Sequence, residues 1–271
     1  MEVPEKNGFP GTLSYVVWAL TMLIPAVVAL IPEKFAIDHH RQAIVHGMII
    51  GLTGAGGTVA LFEALSIGPA YLIFPIIALS PVITVSMAAV LLGERTGSLG
   101  WIGVVLALIS IVLFSYSDPQ EDQYGSVWLL WALGIMLAWG FQAYYMKIAN
   151  NHMTSASIFF YMMLTALLFI PVTIWMTDFQ QEPPINWGFS GPGIAAVVQL
   201  LNAIGACTLV FAFRKGKAII VSPMCNALAP LITVMISLLL YKTVPGMITG
   251  SAIALAIAAA FLMVLDEERS T

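Results

Sequence analysis

Charged residues divide this chain into nine long uncharged stretches, and this feature constrains its fold more than any other. Each stretch has 21 to 31 residues and contains no Asp, Glu, Lys or Arg: 7–32, 42–62, 64–93, 96–117, 123–146, 148–177, 183–213, 218–241 and 243–265. A helix needs about 20 apolar residues to cross about 30 Å of hydrocarbon. Membrane-spanning strands would instead be segments of about ten residues with alternating hydrophobicity. The pattern therefore predicts an all-α, polytopic membrane bundle of nine transmembrane helices.

The composition excludes the other broad classes of protein. Of the 271 residues, 60% are hydrophobic and 9% are charged, whereas soluble domains carry about 25% charged residues. So little charge cannot cover a water-facing surface, and a disordered chain would need low hydrophobicity. The net charge of −4 argues against nucleic acid as a partner. The two cysteines, Cys207 and Cys225, suggest neither a disulfide framework nor a Cys-x-x-Cys metal site.

The basic residues predict how the bundle is oriented. We place the spans at residues 12–31, 43–65, 70–92, 99–116, 126–147, 154–176, 191–213, 218–241 and 244–265. With the N-terminus outside, eight of the ten Lys and Arg residues fall in cytoplasmic loops, and only Lys6 and Lys242 lie outside. This distribution follows the positive-inside rule. We therefore expect a multi-pass protein of the cell (inner) membrane with a cytoplasmic C-terminus.

Two stretches of the sequence resemble each other. Residues 60–113 and 210–262 each contain a helix end, a turn with a glycine, a helix with two prolines and a final helix rich in small residues. The predicted topology places the first turn outside and its counterpart inside, so the repeat is inverted, as in many secondary transporters. We divide the chain into residues 1–117, with four spans, and residues 118–271, with five.

Short motifs connect these repeats to a known family. Residues 60–113 include A-L-S-I-G-P-A, L-S-P-V, L-L-G-E-R and G-W-I-G, and the fifth span contains Ala138-Trp139-Gly140. On these residues the sequence resembles the EamA-type transporters of the drug/metabolite transporter superfamily. The resemblance implies ten helices in two inverted five-helix repeats and a role in transport. The first repeat has no opening Trp-Gly helix, so we expect four plus five helices of that plan.

One acidic residue, Glu63, lies inside a predicted span. An ionised carboxylate is costly in hydrocarbon and must pair, take up a proton or reach the interface. Glu63 is therefore a candidate for binding a proton or cation at the mouth of a cavity, and Thr53 lies on the same helix face. The alternative is a carboxylate that extends to the outer headgroups or caps a neighbouring helix.

Neutral polar residues lie deeper in the predicted spans. Asn202 is about 16 Å from the outer end of its span, near the midplane, and an amide in hydrocarbon needs partners. Direct contact with a solute and hydrogen bonding between helices are the two interpretations. Trp139 is a candidate cavity wall or part of an interfacial aromatic belt. The further candidates of this kind are Gln142, Gln199 and Asn226.

Prolines and glycines have mechanical roles in this interpretation. Prolines interrupt the helical hydrogen bonds and can act as hinges whose freed carbonyls line a cavity. The matching prolines of the two stretches are Pro75, Pro81, Pro223 and Pro230. The pairs Gly47/Gly51 and Gly246/Gly250 have the G-x-x-x-G spacing that permits close helix approach.

We therefore predict a secondary transporter that moves a small organic solute by alternating access, surrounded by membrane lipid and with protons as the candidate coupling ion. We expect no cofactor, no bound metal and no enzymatic activity. A scaffold or incomplete membrane protein that does not transport is one alternative. A membrane-embedded enzyme is the other, and it would need two or more ionisable groups in the bilayer, where the sequence offers only Glu63.

Overall fold

The computed structural model describes residues 4, 7–68, 70–114, 127–241 and 246–270, and these residues form helices and connecting turns without any strand. This confirms the predicted all-α fold. A π-helical turn at Phe189–Gly193 leads directly into the helix that begins at Ile194. The helices are α1 Gly11–Thr21, α2 Leu23–Leu30, α3 Arg41–Ile67, α4 Ala70–Ala78, α5 Ser80–Leu91, α6 Ser98–Phe114, α7 Val127–Ala149, α8 Ser155–Leu168, α9 Ile170–Trp175, α10 Ile194–Lys215, α11 Ala218–Tyr241 and α12 Met247–Ser270.

The apolar helical segments coincide with the predicted spans. Among the described residues, five segments are long and apolar enough to cross a membrane: Gly11–Leu30, Arg41–Ile67, Val127–Ala149, Ser155–Trp175 and Phe189–Lys215. Shorter apolar helices lie at Ile76–Leu91, Ser98–Leu113, Ala218–Leu228 and Gly250–Met263. Each of these nine segments overlaps one of the nine spans. The chain is a polytopic helical membrane protein, as the charge pattern predicts.

Three of the predicted spans are interrupted partway along their length. The breaks lie at Met22, Leu79 and Phe169, where one helix ends and the next begins. A proline follows each break by two or three residues, and proline lacks the N–H that a continuous helix would use. The prolines are Pro25, Pro81 and Pro171.

These breaks only partly match the predicted hinges. The break beside Pro81 was expected, but those in the first and sixth spans were not. In contrast, α11 runs from Ala218 to Tyr241 without a break, although it contains Pro223 and Pro230. Matching prolines of the two stretches thus differ in their effect: the helix breaks beside Pro81, but it continues through Pro230.

The chain forms two compact units that do not correspond to its two halves. The first unit contains residues 1–62 and 145–215, and the second contains residues 63–144 and 216–271. Each unit therefore takes helices from both sides of the predicted repeat boundary.

In the first unit, close approaches of helices organise the packing. α1 packs on α9 and α10, and α2 packs on α8. A Cβ atom at Gly47 would lie 2.5 Å from the ring of Tyr161, and one at Gly51 would overlap the side chain of Thr165. Both glycines therefore let α3 approach α8, as the G-x-x-x-G spacing predicts.

In the second unit, the most extensive helix contact among the described residues joins α6 and α12. A Cβ atom at Gly103 would lie 2.7 Å from Cγ of Met263 and 2.9 Å from the carbonyl oxygen of Ala259. α11 packs on α5 and on α6. No heavy atom of the described residues lies within 4 Å of the Cβ position at Gly246 or Gly250, so this part of the structure does not show the close approach that the spacing predicts.

Candidate functional site

In the first unit, the two predicted amides of α10 bond to each other. Nδ2 of Asn202 donates to Oε1 of Gln199 at 3.2 Å. Gln199 is buried, with 1% of its surface exposed, whereas Asn202 is exposed. A buried amide within a membrane span needs a partner, and Asn202 supplies one. These two amides, which we predicted to contact a solute, thus use part of their hydrogen-bonding capacity on each other.

Thr53, on α3 of the same unit, bonds to its own helix. Its hydroxyl donates to the carbonyl oxygens of Ile49 at 2.6 Å and of Ile50 at 3.2 Å. The side chain is half-buried. A hydroxyl that donates still has lone pairs with which it can accept a hydrogen bond, so Thr53 could interact only with a donor on a solute.

The second unit holds the other predicted site residues. Glu63 lies one turn before the end of α3, and Glu63, Trp139 and Gln142 are half-buried. Asn226 is exposed, and its Nδ2 donates to the carbonyl oxygen of Ser222 at 2.9 Å. The structure thus divides the seven predicted residues, with Thr53, Gln199 and Asn202 in the first unit and the other four in the second.

The candidate hinges lie in the second unit as well. Pro81 and Pro223 are buried. The side chains of Pro75 and Pro230 lie outside the residues whose side chains are described. The hinge role of these four prolines stays a prediction.

The sequence interpretation missed two polar groups on α1. The hydroxyl of Ser14 and Nε1 of Trp18 are buried, and no described residue offers either of them a hydrogen bond. They are four residues apart and therefore lie on one face of the helix. An unsatisfied buried donor costs about 1–3 kcal/mol, and such a group in a folded protein calls for an explanation. Binding of a ligand is one.

Trp18 belongs to a cluster of aromatic rings that also contains Tyr15 and Phe62. The ring of Tyr15 meets that of Trp18 edge-on with centroids 5.3 Å apart, and that of Phe62 at 6.4 Å. The Tyr15 hydroxyl donates to the carbonyl oxygen of Ala166 at 3.1 Å. Tyr15 therefore joins α1, α3 and α8 beside the unpartnered donors. The sequence signal was weak, because serine and tryptophan in an apolar run are ordinary.

Three other carboxylates bind helix N-termini. Oδ2 of Asp38 accepts from the backbone N–H of Thr154 at 2.7 Å, just before α8. Oε2 of Glu94 accepts from the N–H of Ile219 at 3.0 Å, in the first turn of α11. Oδ2 of Asp266 accepts from Oγ1 of Thr96 and the N–H of Gly97, both at 2.7 Å, just before α6. Free N–H groups and the helix dipole favour a carboxylate at these positions.

The hydrogen bonds to Asp38 and Asp266 favour the ionised form of these two carboxylates. Partial burial alone would raise the pKa of Asp38, but hydrogen bonds from Thr154 and Ser157 outweigh it and lower the pKa below its usual value. Hydrogen bonds from Thr96 and Gly97 lower the pKa of Asp266 in the same way. These three acids bond to helix ends, and Glu63, the acid inside a predicted span, stays the candidate for ion chemistry.

Comparison with known proteins identifies a family over most of the chain. The chain matches the EamA-like transporter family at residues 9–116 and 126–265. A probable magnesium transporter of Arabidopsis thaliana, NIPA3, is 35% identical over 77 residues, which is 28% of this chain and 21% of that protein. A probable magnesium transporter of Candida albicans is 36% identical over 88 residues, 32% of this chain and 23% of that protein. The chain thus matches about a fifth of the length of these relatives.

Two further similarities cover more of the compared chains. An uncharacterized protein of Methanocaldococcus jannaschii is 28% identical over 116 residues, which is 43% of this chain and 82% of that protein. A protein of known crystal structure aligns with a TM-score of 0.75 and 18% identity, over 95% of this chain and 88% of that chain. At this identity the likeness shows a common fold and nothing about the solute.

Proposed function

Because this chain belongs to the EamA-like transporter family, we propose that it is a secondary transporter that moves a small organic solute across the cell membrane by alternating access. The observation that carries the proposal is the pair of unpartnered donors on α1, Ser14 and Trp18. The ring of Tyr15 packs on that of Trp18 and also on that of Phe62. A solute with an oxygen acceptor and an apolar part would satisfy the donors and contact the rings.

Pairwise packing of the helices supports the two inverted repeats, 1–117 and 118–271. The first predicted span packs on the sixth, through α2 on α8 and α1 on α9. The third packs on the eighth, through α5 on α11, and the fourth on the ninth, through α6 on α12. Inverted repeats related by a two-fold axis in the membrane plane bring equivalent helices together in this manner. The breaks at Met22 and Phe169 lie in equivalent spans and are candidate bending points.

Removing the donors tests the solute site. Ser14→Ala and Trp18→Phe each delete one hydrogen-bond donor and keep most of the shape. We expect the apparent affinity for the transported solute in proteoliposomes to fall about fivefold to tenfold, because a typical hydrogen bond contributes about 1 kcal/mol. The thermal stability of Ser14→Ala should not fall, because the deleted hydroxyl is unpartnered in the fold.

The matched control is Ser251→Ala, which removes an exposed hydroxyl that bonds to its own helix in α12. Its transport kinetics should equal those of the wild type. A loss of stability in Ser14→Ala with unchanged solute affinity would show that Ser14 is structural, and would remove it from the site.

We propose that Glu63 couples transport to protons. Its half-buried position near the end of α3 suits a carboxylate that takes up and releases a proton during the cycle. Glu63→Gln should abolish the pH dependence of uptake, whereas Glu63→Asp, which keeps the carboxylate, should retain it. Equal pH dependence in the wild type and Glu63→Gln would exclude this role.

A magnesium ion is the second candidate substrate, because two relatives are probable magnesium transporters. Mg²⁺ prefers oxygen ligands and is often held by one or two carboxylates with water. Glu63 is the acid that a predicted span supplies. Mg²⁺ entry into proteoliposomes, followed with an enclosed magnesium-sensitive dye, distinguishes the candidates: a Glu63-dependent flux without organic uptake would favour the ion.

We propose that the N-terminus lies outside and the C-terminus in the cytoplasm. The support is the distribution of Lys and Arg between the loops. Single cysteines introduced at Asn151 and Asn186, in a variant without Cys207 and Cys225, should react with an impermeant maleimide from the inside and the outside, respectively. The opposite labelling pattern would invert the topology.

A further inference from the structure

An open apolar groove lies between α2 and α10 in the first unit. It has a volume of about 420 Å³, and its walls include Ile24 and Val28 of α2 and Ile204, Thr208 and Phe211 of α10. Val28 is 60% exposed and Phe211 42%, so the groove is open along its length. It contains none of the residues that we predict or propose for the solute site.

The spacing of the wall residues makes the groove run along the helices. Ile24 and Val28 are four residues apart and share one face of α2. Ile204, Thr208 and Phe211 follow at intervals of four and three and share one face of α10. In water such a surface would favour a protein partner, but both walls belong to membrane-spanning segments. Lipid chains are the surroundings there.

Positive charge stands at one end of both walls. The groove face of α10 continues to Lys215, four residues after Phe211 and the last residue of the helix. α2 ends at Leu30, and Lys34 lies exposed in the turn that follows. Glu33 in that turn offsets part of the charge of Lys34. Arg214 adds a second cation beside Lys215, although its Nη1 donates to the carbonyl oxygen of Met153.

We propose that this groove binds one acyl chain of an anionic phospholipid, whose phosphate contacts Lys215 and Lys34. α2 and α10 have the same predicted direction, so both basic ends lie at the same membrane surface. The proposed topology makes this the cytoplasmic surface, whose leaflet is the anionic one. A zwitterionic lipid would fill the groove equally well but would gain less from the lysines. The site is therefore selective through its charge and not through its apolar walls.

Native mass spectrometry of the full chain in detergent tests this proposal. Delipidated protein is titrated with phosphatidylglycerol and with phosphatidylcholine of identical chains. The wild type should retain one phosphatidylglycerol in preference to phosphatidylcholine. Each lysine near an anionic group contributes about fivefold to binding, so Lys34→Gln with Lys215→Gln should weaken phosphatidylglycerol binding about 25-fold and leave phosphatidylcholine binding unchanged.

The control is Lys217→Gln, a lysine of the second unit whose Nζ donates to the carbonyl oxygen of Arg95. It should keep the lipid preference. Equal affinity of the wild type for both lipids, or an unchanged preference in the double lysine variant, would overturn the proposal. Because this experiment measures no transport, its result is independent of the proposed solute.

Filling the groove provides a second test. Ala29→Phe places a ring in the groove, and Thr208→Phe does the same from the exposed face of α10. Either folded variant should lose the retained phosphatidylglycerol. If they keep it, the lipid binds elsewhere and the proposal is wrong. If they instead convert dimers to monomers while lipid retention persists, a second copy of the chain occupies the groove, which also contradicts the proposal.

Discussion

The two compact units of this protein use different interactions to hold their helices together. In the first unit a buried amide joins separate segments: Nδ2 of Asn150 donates to the carbonyl oxygen of Val210 at 2.9 Å, and its Oδ1 accepts from Ser155 at 2.7 Å. In the second unit α6 and α12 pack through glycine and alanine, with Gly103 close to the backbone of Ala259. Lipid supplies little hydrophobic drive between helices, so polar bonds and close packing replace it.

This difference indicates where solute chemistry is to be sought. The first unit already places polar groups in its interior, and those of Ser14 and Trp18 on α1 are among the buried groups that bond to no described residue. In the second unit, the described carboxylates of the loops and the C-terminal helix end bond to helix N-termini. Polar groups that the fold does not use are available to a ligand, whereas those that cap helices are not.

The largest effect on stability is expected at Gly103 in the second unit. Gly103→Ala would place a Cβ atom 2.9 Å from the carbonyl oxygen of Ala259, and backbone cannot rotate away as a side chain can. We expect a loss of about 1–3 kcal/mol, typical of overpacking, measured by thermal unfolding in detergent. A Cβ atom at Gly205 in the first unit would have no atom of the described residues within 4 Å, so Gly205→Ala should be neutral or stabilising. Equal effects would refute the close packing of α6 on α12.

A smaller effect is expected at Asn150 in the first unit. Asn150→Ala removes the bonds to Val210 and Ser155 and leaves buried groups without partners. We expect a loss of about 1–2 kcal/mol, since polar bonds in membranes are modest. Asn151→Ala, at the exposed neighbour, is the matched control. If both variants unfold at the wild-type temperature, the polar account of this unit is wrong.

The smallest effect concerns the caps and depends on pH. Because the pKa of Asp38 is lowered in the fold, its stabilisation is present above its unfolded pKa of about 3.9 and is lost as the pH falls through the folded value. Asp38→Asn should lower stability at pH 7 by about 1 kcal/mol or less, since the group is partly exposed.

Thermal unfolding of Asp38→Asn between pH 7 and pH 3 checks this expectation. The difference from the wild type should be constant down to about pH 4 and shrink below it. Asp266→Asn should behave in the same direction in the second unit, because its pKa is also lowered. A difference that grows on acidification would contradict the assignment of the carboxylates as ionised caps.

Most of the fold was predictable, but the interruptions were not. The spans could be predicted from the long uncharged stretches, because a helix that crosses hydrocarbon needs about 20 consecutive apolar residues. The breaks at Met22 and Phe169 escaped the prediction because prolines are tolerated in membrane helices when neighbours satisfy the freed groups. Pro223 is an example of a tolerated proline, since α11 continues through it. Whether a proline separates two helices depends on packing that the local sequence does not contain.

The candidate site was predictable only in part. Gln199 and Asn202 stood out as amides in an apolar span, and the structure shows that they bond to each other. Ser14 and Trp18 did not stand out, because each is common in such spans when it has a partner. Ser14 and Trp18 matter because they have no hydrogen-bond partner among the described residues. Whether a partner is present depends on the surrounding helices and not on the local sequence.

The amino-acid sequence alone determined that this protein is a bundle of membrane helices, and the tertiary structure decided which polar side chains remain unused. In hydrocarbon each backbone N–H and C=O must bond within its own helix, so the helical plan follows from local sequence and length. Side chains are satisfied by distant segments, as when Tyr15 donates to the carbonyl oxygen of Ala166. One turn of α1 therefore holds a satisfied tyrosine beside an unsatisfied serine, because only folding brings acceptors within reach.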